Sequence, residues 1–146
     1  MWDDEEGFLF DRQADGSLGT AKGVYAYWAL QTDVLDRERL DRLVAHLSDT
    51  AEFNRPHRVP SLAADHRKYN ALGRYWQGGV WPGTNYMIID GLWRNGYRAE
   101  AQQIAENHYA AVFEVWKKTG TFWEYYAPER IEPGFMARRD FVGWTG

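Results

Sequence analysis

Residues 120–129, "GTFWEYYAPE", set one carboxylate, Glu124, among three large rings, Trp123, Tyr125 and Tyr126. A charge held against apolar surface loses hydration, and it persists there when it is paired or used. Such a carboxylate suits acid–base chemistry, and glycoside hydrolysis needs two of them. One protonates the departing oxygen, and the other activates water or attacks the anomeric carbon. In an extended run Glu124 shares a face with Phe122 and Tyr126, while Trp123 and Tyr125 point the other way. The plainer alternative has Glu124 in water above packed rings. Asp140, Asp90 and Asp3 are weaker candidates, and Asp90 reads first as a structural partner inside an apolar helix.

Other chemistries find little support. Ser17, Ser48 and Ser61 are the only serines, and none stands in a G-x-S-x-G elbow. His46, His57, His66 and His108 lack H-E-x-x-H spacing and read as surface or loop histidines. The absence of cysteine removes thiolate nucleophiles, thiolate metal sites and disulfides together. Asp11, Gln13, Asp15 and Gly16 match four places of a calcium loop. Lys22 falls where that loop needs a bidentate Glu, so a turn is the better reading. No metal and no cofactor is expected.

Seventeen Lys and Arg against 21 Asp and Glu give a net charge of −4, which argues against a nucleic-acid partner. The acidic opening "MWDDEEGF" is no signal peptide, and no apolar run nears the ~20 residues of a membrane span. A cytoplasmic location without a membrane partner follows as the expectation. Aromatic residues make up 16% of the chain and gather in "YWQGGVW" (75–81) and "FWEYY" (122–126). Rings most often form core. Flat faces beside Gln and Glu also suit the C–H face and hydroxyls of a sugar.

The elements that must carry these residues are mostly helical. Leu40, Leu43, Val44 and Leu47 form the stripe of a helix over 36–48, with Asp36 as its N-cap. An earlier helix over about 21–31 carries Val24, Tyr27, Trp28 and Ala29. Pro82 opens a helix that is apolar on most sides and therefore buried, with Gly96 as its stop. The next runs from Arg98 to Lys118, burying Ala101, Ile104, Ala105, Val112 and Trp116, and Gly120 ends it. Residues 7–18 read as a hairpin, with Phe8–Phe10 leading into a turn at Asp15-Gly16. Residues 49–81 lack a periodic pattern and read as a functional loop folded over one end.

"YWQGGVWPGTNYMIIDGL", a helix with "AQQIAE", then "GTFWEYYAPE" and "DFVGWTG" occur in an order that resembles the C-terminal half of trehalase-like glycosidases. These include the trehalases and the mannosylglycerate hydrolase-like glycoside hydrolases. "WDDEEGFLFDRQADG" resembles the same family's tryptophan-aspartate hairpin. The resemblance implies a mainly α fold, helical hairpins forming part of an (α/α)6 toroid with a short N-terminal β-hairpin. It implies an inverting glycosidase in which Glu124 matches the catalytic base. Tyr75, Trp76, Gln77 and Trp81 match the loop lining the sugar subsite. Trp123, Tyr126 and Asp140 are expected beside the substrate, with Tyr126 and Gln77 donating hydrogen bonds to Glu124 and Trp144 joining Asp140 as a wall.

Two departures bear on specificity: Gln77 stands where relatives often carry Arg, and Gly79 where many carry Pro. The family's Glu-Lys-Tyr-Asp appears as Glu124-Tyr125-Tyr126-Ala127, pointing away from trehalose. The family's general acid is an upstream Asp on a segment this sequence does not contain. Residues 1–146 therefore read as the C-terminal half of a catalytic domain, truncated at both ends, whose partner is the missing N-terminal half. The substrate implied is a small α-glucoside or α-mannoside: an oligosaccharide, glucosyl- or mannosylglycerate, or a trehalose-like sugar. A non-catalytic carbohydrate-binding or protein-interaction domain is the competing reading.

Overall fold

A computed structural model of the chain describes residues 1–139 and 141–145, without the side chain of Trp144. It is mainly helical, with a small antiparallel sheet at the N-terminus. Strand β1 (Trp2–Asp3) pairs with β2 (Phe8–Leu9), Trp2 opposite Leu9 and Asp3 opposite Phe8. The expected turn at Asp15-Gly16 exists, but Phe8-Leu9 pairs backwards with Trp2-Asp3 rather than across that turn. A separate tight loop, bridged at Arg12 and Leu18, closes around Asp15, whose carboxylate accepts from Ser17 N at 2.9 Å and Ser17 Oγ at 2.7 Å.

Val24–Gln31 is a 3₁₀ helix, and α1 is Arg37–Ala45. Asp36 caps α1 through the Arg39 N–H at 2.9 Å, as the sequence pattern requires. Helices α2 (Pro82–Arg94) and α3 (Arg98–Thr119) form an antiparallel hairpin across the Gly96 turn. The main core joins Phe8, Tyr27, Phe53, Leu43 and Leu47 to Ile88 and Leu92 of α2 and Ile104 of α3.

Two helices are buried less completely than expected. Helix α2 buries Asn85, Ile88, Gly91 and Leu92 but leaves Tyr86 and Trp93 exposed. Helix α3 buries Ala101, Ile104, Ala111 and Val115, while Trp116 lies outside with Tyr109 and Phe113. Helix α3 carries apolar residues on two faces, so its pattern alone could not choose; packing of Ala101 and Ile104 with the core and of Val115 with Val80 and Tyr126 selects one of them. No helix among the described residues is long and apolar enough to cross a membrane.

The segment 49–81 has no helix or strand, and part of it runs inside the molecule while much of 65–76 is exposed. Residues 57–63 are all buried. Their backbone is paired on both sides. Val24 N and Ala63 N bond to Ser61 O and Lys22 O, each at 3.0 Å, while Ser61 N reaches Gly79 O at 2.9 Å and His57 N reaches Pro128 O at 2.8 Å. This spine therefore joins the N-terminal core to the two aromatic loops.

Candidate active site

The loop 75–81 is built around one carbonyl. Tyr75 sits in the left-handed region at φ 46°, which turns its C=O inward. That oxygen accepts from Gly79 N at 3.0 Å, Ser61 Oγ at 3.2 Å and Trp81 Nε1 at 3.3 Å. Ser61 Oγ also accepts from Gly78 N at 3.1 Å. The buried Ser61 is thus a template for this loop, a role its sequence context gave no sign of. Trp81 is then sandwiched between Trp76 (centroids 4.4 Å apart) and Tyr125 (4.6 Å), and Tyr75 meets Trp81 edge-on at 5.1 Å. Two clusters some 45 residues apart in sequence form one stack.

The second loop is zipped to the first. Val80 and Tyr126 exchange both backbone hydrogen bonds at 2.9 Å. Tyr125 OH donates to Phe135 O at 2.9 Å, and Gly134 N donates to Tyr125 O at 3.0 Å. A Cβ on Gly134 would overlap Tyr125 Cδ2, so only glycine lets this ring into its slot. Burial, then the nearby charge of Glu124, raises the Tyr125 phenol above its ordinary value.

The strand-like alternation expected for 122–126 does not occur, because the backbone bends at Glu124-Tyr125. Glu124 and Tyr125 line the same cavity of about 360 Å³, together with Arg74, Tyr75, Met136 and Arg138. Tyr126 turns away, fully buried against His57 and His108 at 5.6 and 6.5 Å. Its hydroxyl accepts from Trp123 N at 3.1 Å and makes no hydrogen bond to Glu124 among the described residues. Trp123 packs on Val80 and Tyr126, with its indole N–H on Thr119 Oγ1 at 3.0 Å. Gln77 does not line this cavity. It borders a polar depression of about 590 Å³ with Trp76, Asp11, Gln13, His66 and Lys68. Asp140 and the Trp144 side chain lie outside the described residues. Gly143 packs directly on Glu124: a Cβ there would meet Glu124 Cγ at 2.7 Å, and its φ is 48°.

The chemistry available to Glu124 follows from what it lacks. Among the described residues its carboxylate has no hydrogen-bond or ion-pair partner, although the side chain is partly buried. Three of the other acids are occupied. Glu129 is held by Arg55 and Tyr69, Asp90 pairs with Arg94 at 2.9 Å, and Asp3 caps the β1–β2 turn. Tyr75 and Met136 (φ 69°) both line the Glu124 cavity in left-handed conformations, a strain that clusters at functional sites. Among the described residues no group of three His, Asp or Glu side chains could hold a metal ion.

The histidines correct another expectation. His57 and His108 are not surface or loop groups but a pair beneath Tyr126, their rings bonded Nε2 to Nδ1 at 2.8 Å. Asn85 Nδ2, which can only donate, also reaches His108 Nδ1 at 3.0 Å, so that nitrogen is an acceptor and the His108 ring is neutral, with His57 donating to it through Nε2. Burial pushes His57 well down and His108 down to about 4. Position 108 lies four residues beyond Ile104 and three before Ala111, a spacing that could have placed it on the buried face.

Comparisons with known proteins bear on the family and the fold. The family described as the mannosylglycerate hydrolase MGH1-like glycoside hydrolase domain matches residues 1–141. A probable mannosyl-oligosaccharide glucosidase of Schizosaccharomyces pombe is 30% identical over 75% of this chain and 15% of its own length. A mannosylglycerate hydrolase of Rubrobacter radiotolerans is 28% identical over 99% of this chain and 32% of its own. Among solved structures, the GH63 mannosylglycerate hydrolase of Thermus thermophilus in complex with glucose superposes with a TM-score of 0.81 at 22% identity. That match covers 99% of this chain and 33% of the enzyme. Neutral trehalase of Saccharomyces cerevisiae gives 0.80 at 20% identity, over 99% of this chain and 26% of the trehalase. The chain spans no more than about a third of the curated relatives it matches. With the match running from the first residue through the loop that bears Glu124, the chain belongs to the mannosylglycerate hydrolase MGH1-like glycoside hydrolase family.

Proposed function

We propose that this chain carries the general base, Glu124, and part of the sugar site of an inverting glycoside hydrolase built on an (α/α)6 toroid. The observation that carries the reading is a partly buried carboxylate without a protein partner, in a cavity of about 360 Å³ walled by Tyr75 and Tyr125. A base must leave its oxygens free for the attacking water, and among the described residues Glu124 does so while lining a cavity. At the end of the stack Trp76, 45% exposed and bordering the depressions beside the Glu124 cavity, offers a flat apolar face of the kind a pyranose packs against.

The substrate is a small α-glucoside or α-mannoside. Arg74 and Arg138 line the Glu124 cavity and have no ion-pair partner among the described residues. They favour a glycoside with an acidic aglycone, such as mannosylglycerate or glucosylglycerate, over neutral trehalose. The general acid comes from residues outside these 146. In an inverting site it would stand about 6.5–9.5 Å from Glu124, leaving room for water.

A non-catalytic carbohydrate-binding domain is the second reading, and one observation favours it: Glu124 is the only acid among the described residues lining its cavity. NMR of the anomer first released from mannosylglycerate and glucosylglycerate by the full natural polypeptide separates the two. Inversion is expected, with Glu124→Gln lowering turnover by about 10²–10⁴ and leaving substrate binding largely intact. The 146-residue chain by itself should be silent, because a sugar alkoxide cannot leave unaided. Retention, or a Glu124→Gln variant with near-native turnover, would remove Glu124 as an inverting base.

A further inference from the structure

Glu129 lies five residues beyond Glu124, on the same loop, and the chemistry above gives it no task. Its Oε1 accepts from Arg55 Nε at 2.7 Å and from Tyr69 OH at 2.6 Å, while Oε2 accepts from Arg55 Nη2 at 2.9 Å. A third guanidinium nitrogen of Arg55, Nη1, donates to Thr50 O. The Arg55 guanidinium holds the Glu129 carboxyl below its ordinary range. Burial, then Glu129 itself, pushes the Tyr69 phenol upward, so an anion faces a charged fork and a neutral donor at neutral pH. A bidentate pair of this kind fixes direction as well as distance.

Both partners of Glu129 come from the irregular segment 49–81. Tyr69 precedes Asn70, whose N–H bonds Gln77 O at 2.7 Å, next to Trp76. Leu72 O accepts Phe135 N at 2.8 Å, and Pro128 O accepts His57 N at 2.8 Å. The side chain of Glu129 thus ties the loop bearing Glu124 to the segment that presents Tyr75–Trp81.

We propose that Arg55, Glu129 and Tyr69 form a clamp that positions Glu124 against the aromatic loop, making them positioning residues rather than catalytic ones. The proposal rests on the reading of Glu124 as the base. The full natural polypeptide is assayed on mannosylglycerate and glucosylglycerate as wild type, Glu129→Gln, Arg55→Lys and, for reference, Glu124→Gln. Glu129→Gln keeps the size and one acceptor but loses the second parallel bond. Its kcat should fall about tenfold to a hundredfold, the cost of misplacing a reacting group by about 1 Å, with KM nearly unchanged. Arg55→Lys, which keeps the charge without the fork, should fall between wild type and Glu129→Gln.

Amide exchange gives a readout that does not depend on turnover. The N–H groups of Tyr126 and Gly134, bonded to Val80 O and Tyr125 O, should exchange about tenfold faster in Glu129→Gln, while amides of α2 and α3 keep their rates. An active enzyme whose kcat is untouched by Glu129→Gln overturns the clamp. So does exchange that is unchanged in the loop, or that rises equally in α2 and α3. A wild type inert on both glycosides defeats the functional reading alone, and the exchange result then decides the clamp by itself.

Discussion

Phe8, Tyr27 and Phe53 sit in the core at no more than 1% exposure, with Tyr27 edge-on to Phe8 (83°) and to Phe53 (85°). Trp76, Trp81 and Tyr125 instead stack nearly parallel, at 13° and 28°, and Trp76 remains 45% exposed. Both are aromatic triads, but one is enclosed and the other ends in an exposed ring. The core triad, with Phe8 and Phe53 near-parallel at 12° and Tyr27 edge-on to both, is closed on all sides, as a core demands. A parallel stack ending in an exposed ring leaves a flat face open. The first cluster draws on β2, a 3₁₀ helix and the closed spine, whereas the second hangs on loops with Tyr75 in a strained conformation. Backbone strain spent to hold a ring at the surface points to presentation, not packing.

The comparison breaks most sharply if Phe53→Ala is mild. Phe53 touches Phe8 and Tyr27 and is fully buried, so the truncation leaves a cavity that neighbouring rings cannot close. The expected loss is about 3–5 kcal/mol in chemical denaturation. A loss below about 1 kcal/mol would mean that the N-terminal cluster is not the core of the unit.

The sequence was legible where a local rule decides. Asp36 capped its helix, Pro82 opened α2 and Gly120 ended α3, because caps and stops depend on a few neighbouring residues. The existence of the two aromatic loops was equally plain in the clustering of Trp and Tyr. Directions within them were not. Glu124 and Tyr125 share a cavity because the chain bends between them, and that bend is imposed by Val80, Gly134 and Phe135 from elsewhere in the chain. Residues 49–81 looked like an outer loop because a buried irregular backbone has no period. The bonds that hold its buried stretch run to Lys22 and Pro128 outside the segment and to Gly79 at its far end, beyond the reach of a local pattern. Glu129 was missed for the same reason, since Arg55 lies 74 residues away.

Acid should separate the two regions next. Beneath the stack, His57 and His108 are neutral and have depressed pKa values, so the unfolded chain binds more protons than the folded one below the ordinary value of 6.5. Their contribution is whole above pH 6.5 and is lost as pH falls toward about 4. In the N-terminal core, burial alone would raise Glu52, but hydrogen bonds from His46 and Lys22 outweigh it and leave it lowered. Its contribution survives to pH 4.5 and is lost only below. Thermal midpoints at about pH 7 and pH 5 should therefore drop by several degrees in wild type and by roughly half as much in His108→Gln. An equal drop in both would place the acid sensitivity elsewhere.

Gly143→Ala tests the tail's contact with Glu124. The new Cβ would overlap Glu124 Cγ and force a left-handed φ on alanine, so Glu124 must move. Turnover of the full natural polypeptide should fall about tenfold while the thermal midpoint shifts by only a few degrees. Unchanged turnover would show that the 143–145 turn does not set the position of Glu124.

Trp76→Ala carries the smallest effect on stability and the most direct test of presentation. Trp76 makes its principal aromatic contact with Trp81 on one face, and its other surface borders an open apolar depression of about 570 Å³ with Tyr25, Trp28 and Tyr86. Removing it forfeits one stacked pair, worth about 0.5–1.5 kcal/mol, and creates no closed cavity. Stability should therefore fall by about 1 kcal/mol, a fraction of the Phe53→Ala loss, because the gap opens to solvent. Function should respond more strongly than stability. If Trp76 presents its face to sugar, KM for mannosylglycerate rises about tenfold in the full natural polypeptide and kcat changes little, the pattern of lost uniform binding. Trp76→Phe, which keeps a flat ring, should recover much of that loss. A Trp76→Ala variant destabilised by as much as Phe53→Ala, with KM unmoved, would make the stack a second core and erase the distinction between the two clusters.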